Sequence, residues 1–131
     1  MYKFDIQTPA GEAIIDITGS VEGALRQSRV KSGICLVYVP HTTAGVIINE
    51  NADPDVRRDI LMTLERTAPA ALPYAHAEGN APAHVKASLL GASAFIPLED
   101  GSLALGTWQG IFFCEFDGPR RRRVFVEIIS G

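Results

Sequence analysis

The sequence predicts an α+β fold in one compact domain, residues 1–131, with a mostly antiparallel sheet and about three helices. The length of 131 residues is that of a single domain, and 47% hydrophobic against 21% charged residues is typical of a globular chain with one core. Short apolar runs rich in β-branched residues occur in groups, between three segments that begin with capping residues. Strands that follow one another in groups favour an antiparallel sheet.

The first two strands are predicted to form a β-hairpin. Tyr2, Phe4 and Ile6 alternate with polar residues, Pro9-Ala10-Gly11 is a turn signal, and residues 13–17 form an apolar run. Two such runs separated by a turn are expected to pair with each other.

A helix and two strands come next. The segment Thr18-Gly19-Ser20 offers capping chemistry for a helix over about residues 21–30, which Gly33 is expected to end. Residues 34–39 and 45–49 are short, nearly continuous apolar runs, which predicts strands buried on both faces.

Two further helices have clear boundaries. Asp53 followed by Pro54 predicts a helix start that Asp53 caps, and Pro69 and Pro73 are expected to end this helix. After a loop at residues 70–79, Asn80 is predicted to cap a short helix that reaches about Leu90.

The chain then returns to strands. They are predicted at residues 94–98, 103–105, 111–116 and 124–129. Glu99-Asp100-Gly101 and Asp117-Gly118 are turn signals of the hairpin type.

Charge and cysteine content exclude several classes of protein. The net charge of −3 argues against a nucleic-acid partner. No apolar run approaches the roughly 20 residues of a membrane span, and the N-terminus lacks a signal-peptide pattern, so we expect a cytoplasmic protein. Cys35 and Cys114 lie in apolar runs and fit core thiols, although a disulfide between two strands stays open.

The three histidines are candidate metal ligands. His41, His76 and His84 all lie at the ends of predicted elements, and three imidazoles can form an open zinc site. Their separations match no local metal motif, so each also fits a polar surface or capping residue.

Residues around His41 have further possible roles. Thr42 and Thr43 precede Ala44 and Gly45, a composition that lets backbone N–H groups approach an anion, although a plain polar turn fits as well. Glu50 is the better candidate for a functional acid in its segment, since Asp53 is needed as a cap.

Four consecutive arginines concentrate positive charge. Residues 120–123 supply four of the 12 basic residues, and strand alternation sends Arg120 and Arg122 to one face. Two guanidinium groups on one face could clamp a phosphate, or the run could be a charged edge that prevents aggregation. Trp108 beside Gln109 fits either a core residue or the floor of a pocket for an aromatic ring.

Together these motifs resemble the YjbQ family, which is described as secondary thiamine-phosphate synthases. The resemblance runs from about Phe4 to Ile129. It is carried, in order, by the following segments: Pro40-His41-Thr42-Thr43-Ala44, Asn49-Glu50-Asn51, Asp53-Pro54-Asp55-Val56, Gly79-Asn80-Ala81, Ala83-His84-Val85-Lys86-Ala87-Ser88, Leu105-Gly106-Thr107-Trp108-Gln109 and Asp117-Gly118-Pro119-Arg120. One departure is Ala77, where an acidic residue is expected after the loop histidine.

The resemblance implies a homotrimer whose polar pocket holds the histidines, often with a bound divalent metal (Zn or Mg). The implied reaction joins hydroxymethylpyrimidine diphosphate to thiazole phosphate and releases pyrophosphate. The residues implied to carry it are, as catalytic groups, His41, Glu50, His84 and Arg120; as substrate-binding groups, Thr42, Thr43, Asn80, Lys86, Trp108 and Gln109; and, as metal ligands, His41, His76 and His84.

Two other functions fit the same residues. One is a zinc-dependent hydrolase of a small phosphorylated or acylated metabolite, in which the three histidines hold zinc and Glu50 is the base. The other is a non-catalytic trimer that binds a phosphorylated cofactor precursor.

Overall fold

Two antiparallel sheets and three helices make up the molecule, described for residues 1–131 by a computed structural model. The strands are β1 (Tyr2–Gln7), β2 (Ala13–Asp16), β3 (Gly33–Tyr38), β4 (Ala44–Glu50), β5 (Ser93–Glu99), β6 (Ser102–Leu103), β7 (Gln109–Glu115) and β8 (Arg121–Ser130). The helices are α1 (Thr18–Ser28), α2 (Pro54–Thr67) and α3 (Ala81–Leu90). The predicted α+β class, with three helices and antiparallel strands, is confirmed.

The five-stranded sheet has the order β1-β8-β3-β5-β6, and the three-stranded sheet has the order β2-β7-β4. The main core lies between the sheets and under α1, and a smaller cluster lies between β7 and the helices α2 and α3. Strand β7 contributes to both the main core and the smaller cluster, because Ile111 and Phe113 face the main core while Cys114 faces the helices. None of the three helices is both long and apolar enough to cross a lipid bilayer.

The predicted hairpin at the N-terminus is wrong, although both of its strands exist. β1 pairs with β8 and β2 pairs with β7, so the two strands belong to different sheets. Between β1 and β2 the chain crosses from one sheet to the other, and two hydrogen bonds to the turn at residues 117–120 hold this crossing in place. Thr8 N donates to Arg120 O, and Gly118 N donates to Gly11 O. The turn at Asp117-Gly118 likewise links two sheets, whereas Asp100-Gly101 does join the paired strands β5 and β6.

Burial on both faces is wrong for β3 and partly right for β4. In β3, Cys35 and Val37 are fully buried, while Ile34 and Tyr38 are exposed, because nothing covers the outer face of the five-stranded sheet. β4 begins with three successive buried residues, of which Val46 is the last.

The helix boundaries correct the predicted start and end of α1 and the predicted cap of α3, and they confirm the cap of α2. Helix α1 begins at Thr18, whose N–H donates to Asp16 Oδ1 at 2.9 Å. It ends at Ser28, and the residue that follows, Arg29, is in the left-handed conformation, so the helix stops well before Gly33. Asp53 caps α2 as predicted, through a 2.9 Å hydrogen bond from Asp55 N. Asn80 stands at the start of α3 without making a side-chain cap.

The two cysteines are free thiols in the core, so the open alternative of a disulfide is excluded. Burial raises the pKa of Cys35 to about 11 and that of Cys114 to about 12. Both sulfurs therefore stay protonated and unreactive at neutral pH.

Candidate functional site

The four arginines divide between the protein interior and the surface. Arg122 points inward and is buried, whereas Arg121 and Arg123 lie on the outer face and pair with Asp5 of β1. Arg120 precedes the strand and is half exposed. The predicted clamp of Arg120 with Arg122 therefore does not form, because Arg122 is committed to the core.

Arg122 belongs to a buried network with Glu115, Thr8 and Thr43. Its Nε donates to Glu115 Oε1 at 2.8 Å and its Nη2 donates to Thr43 Oγ1 at 2.9 Å. The Thr8 hydroxyl donates to the same carboxylate at 2.8 Å. Burial by itself raises the pKa of Glu115, but its hydrogen bonds from Arg122, Asp117 N and Thr8 outweigh this and hold the pKa below its usual value.

His41 contacts the residue that follows Arg122 in the chain. The backbone N–H of Arg123 donates to His41 Nε2 at 2.9 Å. Burial lowers the pKa of His41, and the positive charges of Arg122 and Arg120 lower it further. His41 is thus neutral with its proton on Nδ1, which makes it a hydrogen-bond donor without a free lone pair for a metal ion.

Asn80, Asp117 and Arg120 form a hydrogen-bonded chain beside His41. Asn80 Nδ2 donates to Asp117 Oδ2 at 2.9 Å, and Arg120 Nη2 lies 3.1 Å from the same oxygen. Arg120 Nε also donates to Asp117 O at 2.7 Å. This contact explains why Asn80 makes no cap: its amide is turned away from the helix towards Asp117.

Lys86 lies in a cleft of about 280 Å³ next to Asp117. Its ammonium group contacts Glu12 Oε2 at 2.7 Å and Glu65 Oε2 at 2.6 Å, and only 3% of its side chain is exposed. Burial alone lowers the pKa of Lys86, but the two carboxylates outweigh this and raise the pKa above its usual value. An ammonium group shared by two carboxylates has little attraction left for a phosphate.

The histidines do not form one cluster. The rings of His76 and His84 meet edge to face with centroids 5.1 Å apart, in a cleft of about 330 Å³ that Tyr74 also lines. No group of three or more histidine, cysteine or acidic side chains is placed to hold a metal ion. The residues of a single chain therefore do not fit the zinc or magnesium centre that the resemblance implies.

Glu50, Trp108 and Gln109 lie at the opposite end of β7 from the arginines. The strand runs from Gln109 to Glu115, a length of about 20 Å at roughly 3.3 Å per residue. Glu50 Oε2 accepts hydrogen bonds from Ala52 N and Asp53 N at 3.2 and 3.3 Å, so it caps the loop before α2. Trp108 is 63% exposed and is not a core residue.

Thr42 and Thr43 have different environments. Thr43 is buried, and its hydroxyl and carbonyl oxygens are occupied by Arg122 and Phe116 N. Thr42 is exposed beside His41.

Thr8, Glu12, Glu65, Glu115 and Asp117 were not among the predicted site residues. Glu115 gave one usable signal, because it is the only charged residue in the apolar run at 111–116. Thr8, Glu12 and Glu65 gave no local signal, because each contacts a residue distant in sequence. Asp117 was recognised only as a turn residue, and it pairs both with nearby Arg120 and with distant Asn80.

Comparison with known proteins places this arrangement in a family. The family model described as UPF0047 protein YjbQ-like matches residues 2–131. A UPF0047 protein of Methanocaldococcus jannaschii is 52% identical over 130 residues, which cover 99% of this chain and 94% of that protein. The UPF0047 protein YugU of Bacillus subtilis is 49% identical over 126 residues, which cover 95% and 96% of the two chains.

Solved structures agree with the sequence matches. A YjbQ/UPF0047 family protein of Clostridium acetobutylicum superposes with a TM-score of 0.97 at 53% identity, covering 98% of this chain and all of that one. A YbjQ-like protein of unknown function from Sulfolobus solfataricus superposes with a TM-score of 0.95 at 36% identity, covering 99% and 96%. With a family model spanning nearly the whole sequence and relatives alike over their full length, the chain belongs to the YjbQ (UPF0047) family.

Proposed function

We propose that this chain is an enzyme that breaks the bond between carbon and a diphosphate group, using His41 and Arg120 to bind the departing diphosphate. The observation that carries the proposal is the neutral imidazole of His41, whose Nδ1–H stands free while Arg123 N occupies Nε2. The positive charge of Arg120 is close enough to lower the pKa of His41. A neutral donor beside a guanidinium group suits a phosphate oxygen.

The reaction we propose is thiamine-phosphate synthesis, as a secondary activity. The bond between the methylene carbon of hydroxymethylpyrimidine diphosphate and the diphosphate oxygen breaks, and its electron pair leaves with pyrophosphate. The thiazole nitrogen of thiazole phosphate then gives its lone pair to that carbon, so no proton needs to move. Because the negative charge grows on the leaving group, hydrogen-bond donors held in place are the main catalytic requirement.

Local charge supports this assignment. The arginine turn, residues 117–123, carries four guanidinium groups, and the carboxylates that pair with them number three: Asp5, Glu115 and Asp117. One positive charge therefore remains unbalanced on a chain whose net charge is −3. An anionic substrate would be drawn to this turn rather than to the rest of the surface.

We further propose that the protein is a homotrimer that covers the outer face of the five-stranded sheet. Ile34, Tyr38, Phe95 and Ile129 are exposed, and the strand register puts them on the same face. An apolar face of this kind is typical of an interface. Native mass spectrometry should find three chains. Phe95→Asp should release monomers, whereas Val85→Asp, at an exposed position of α3, should not. A monomeric wild type would refute this assembly.

Pyrophosphate release from the two substrates, with Mg²⁺ as counter-ion, tests the enzymatic proposal. Arg120→Gln and His41→Gln should each lower kcat/KM by about 100-fold, because glutamine lacks the positive charge of Arg120 and the Nδ1–H of the His41 ring. Arg58→Gln is the matched control, since Arg58 lies exposed on α2 and pairs only with Asp55.

No pyrophosphate from the wild type, under conditions where a known synthase is active, would exclude the reaction. Tight binding of the diphosphate without turnover would instead identify a non-catalytic binder. Hydrolysis of the diphosphate substrate alone, abolished by a chelator even when substrate Mg²⁺ is restored, would favour the zinc-dependent hydrolase.

A further inference from the structure

A second recess opens at the end of β7 that is remote from His41, and the proposed reaction does not use it. Its volume is about 470 Å³, within the range of small-molecule sites. Its walls come from α1, from the loop after β4 and from the segment after β5. The side chains that matter for its chemistry are Glu22, Arg26, Leu25, Leu103, Asn51 and Gln109.

Glu22 and Arg26 line this recess from one face of α1, one turn apart. A glutamate four residues before an arginine is the favourable order for an ion pair on a helix. Neither side chain, however, forms an ion pair or a side-chain hydrogen bond, and both are exposed. A negative and a positive group are therefore both free to meet a ligand.

The opposite wall supplies uncharged polar groups. Gln109 Oε1 accepts from Gly106 N at 2.8 Å, which fixes the amide and leaves its Nε2 donor free. Asn51 Nδ2 makes only a long contact of 3.4 Å with Gln109 O, so its Oδ1 acceptor is free. Leu25, Leu103 and Leu105 form the apolar part of the recess.

We propose that this recess binds a free α-amino acid with an aliphatic side chain. Arg26 faces its carboxylate, Glu22 faces its ammonium group, and the leucines contact its side chain. A ligand with only one charge would leave either Glu22 or Arg26 unmatched, and a strongly polar side chain would be placed against leucine. The site is independent of the proposed diphosphate chemistry, since it lies at the other end of β7.

The single tryptophan of the chain provides a direct readout. Trp108 is exposed and adjacent in sequence to Gln109, so a ligand held by Gln109 should change its emission. We expect L-leucine to give a saturable fluorescence change and matching calorimetric binding. Isopentylamine lacks the carboxylate and 4-methylpentanoate lacks the ammonium group, and both should bind at least about tenfold more weakly.

Variants test which groups make the contact. Arg26→Gln and Glu22→Gln should each raise the Kd for L-leucine about tenfold, while Arg58→Gln on α2 should leave it unchanged. Circular dichroism verifies that the variants fold. The proposal is overturned if L-leucine gives no saturable signal up to about 10 mM by either method. It is also overturned if the one-charge analogues bind equally well, or if neither variant on α1 weakens binding.

Discussion

The imidazole of His41 takes the place of a strand carbonyl opposite the backbone N–H of Arg123. Pairing between β3 and β8 ends at Tyr38 and Phe125, and the chain then turns away, with Val39 N bonded to Ala92 O. Strand β8 extends beyond Phe125 towards its N-terminal end, where the backbone N–H of Arg123 donates to His41 Nε2 at 2.9 Å. A strand donor thus fixes the tautomer of the ring.

NMR titration of His41 should give a pKa below the ordinary histidine value of about 6.5. Burial is the first cause and the charge of Arg122 the second. Because the folded state resists protonation of His41, this residue does not lower the unfolding free energy at pH values above its ordinary pKa. The unfolding free energy falls as the pH drops from that ordinary pKa through the lower pKa of the folded state. A folded pKa equal to or above that of the same residue in urea would contradict the assignment.

Replacing Arg122 by methionine should cost about 3–5 kcal/mol of unfolding free energy, because it leaves Glu115 as an unpaired buried charge. Arg121→Met is the matched control and should cost less than about 1 kcal/mol, since Arg121 is exposed where it pairs with Asp5. Urea unfolding of both variants measures the difference. Equal losses would mean that the buried network does not stabilise the fold.

Lys86→Met should destabilise the protein by about 2–3 kcal/mol at neutral pH, since Glu12 and Glu65 then repel each other without the ammonium between them. Urea unfolding at neutral pH measures the loss. Lys31→Met, at an exposed position, should change the unfolding free energy by less than about 0.5 kcal/mol. Equal losses in the two variants would mean that the contacts of Lys86 with Glu12 and Glu65 do not stabilise the fold.

Gly118→Ala should lose about 2–3 kcal/mol of stability, because the new Cβ has no room. It would overlap the carbonyl oxygen of Ala10 and lie 2.8 Å from Cγ of Glu115. Gly19→Ala meets nothing within 4 Å in α1 and should instead gain about 0.5–1 kcal/mol. Thermal unfolding of both proteins distinguishes steric conflict from a general effect of replacing glycine.

Local patterns were sufficient to predict the elements but not how the strands pair. Asp53 before Pro54 gave both the start and the cap of α2, because all the interacting atoms lie within three residues. The pairing of β1 with β8 joins residues more than a hundred positions apart, for which the sequence between Pro9 and Gly11 carries no information. The turn there was recognisable, but its use as a crossing between two sheets was not.

For the candidate site, too, the sequence indicated the residues but not their arrangement. The hydroxyl-rich segment at His41 and the four arginines were evident in the sequence, and they do meet at the arginine turn. Which of Arg120 and Arg122 stays at the surface depends on Glu115, which faces Arg122 only because β7 and β8 lie in opposing sheets. The separation of Trp108 from His41 also follows from topology, as the two are attached to opposite ends of β7 and β4.

The length of β7 also sets how substitutions in this protein should combine. Residues farther apart than about 10 Å and without shared partners usually contribute independently to stability and binding. Changes at Arg26 and at Arg120 should therefore add within one chain. A measured departure from additivity between them would mean that one ligand touches both ends, either as an elongated molecule or by bridging neighbouring copies.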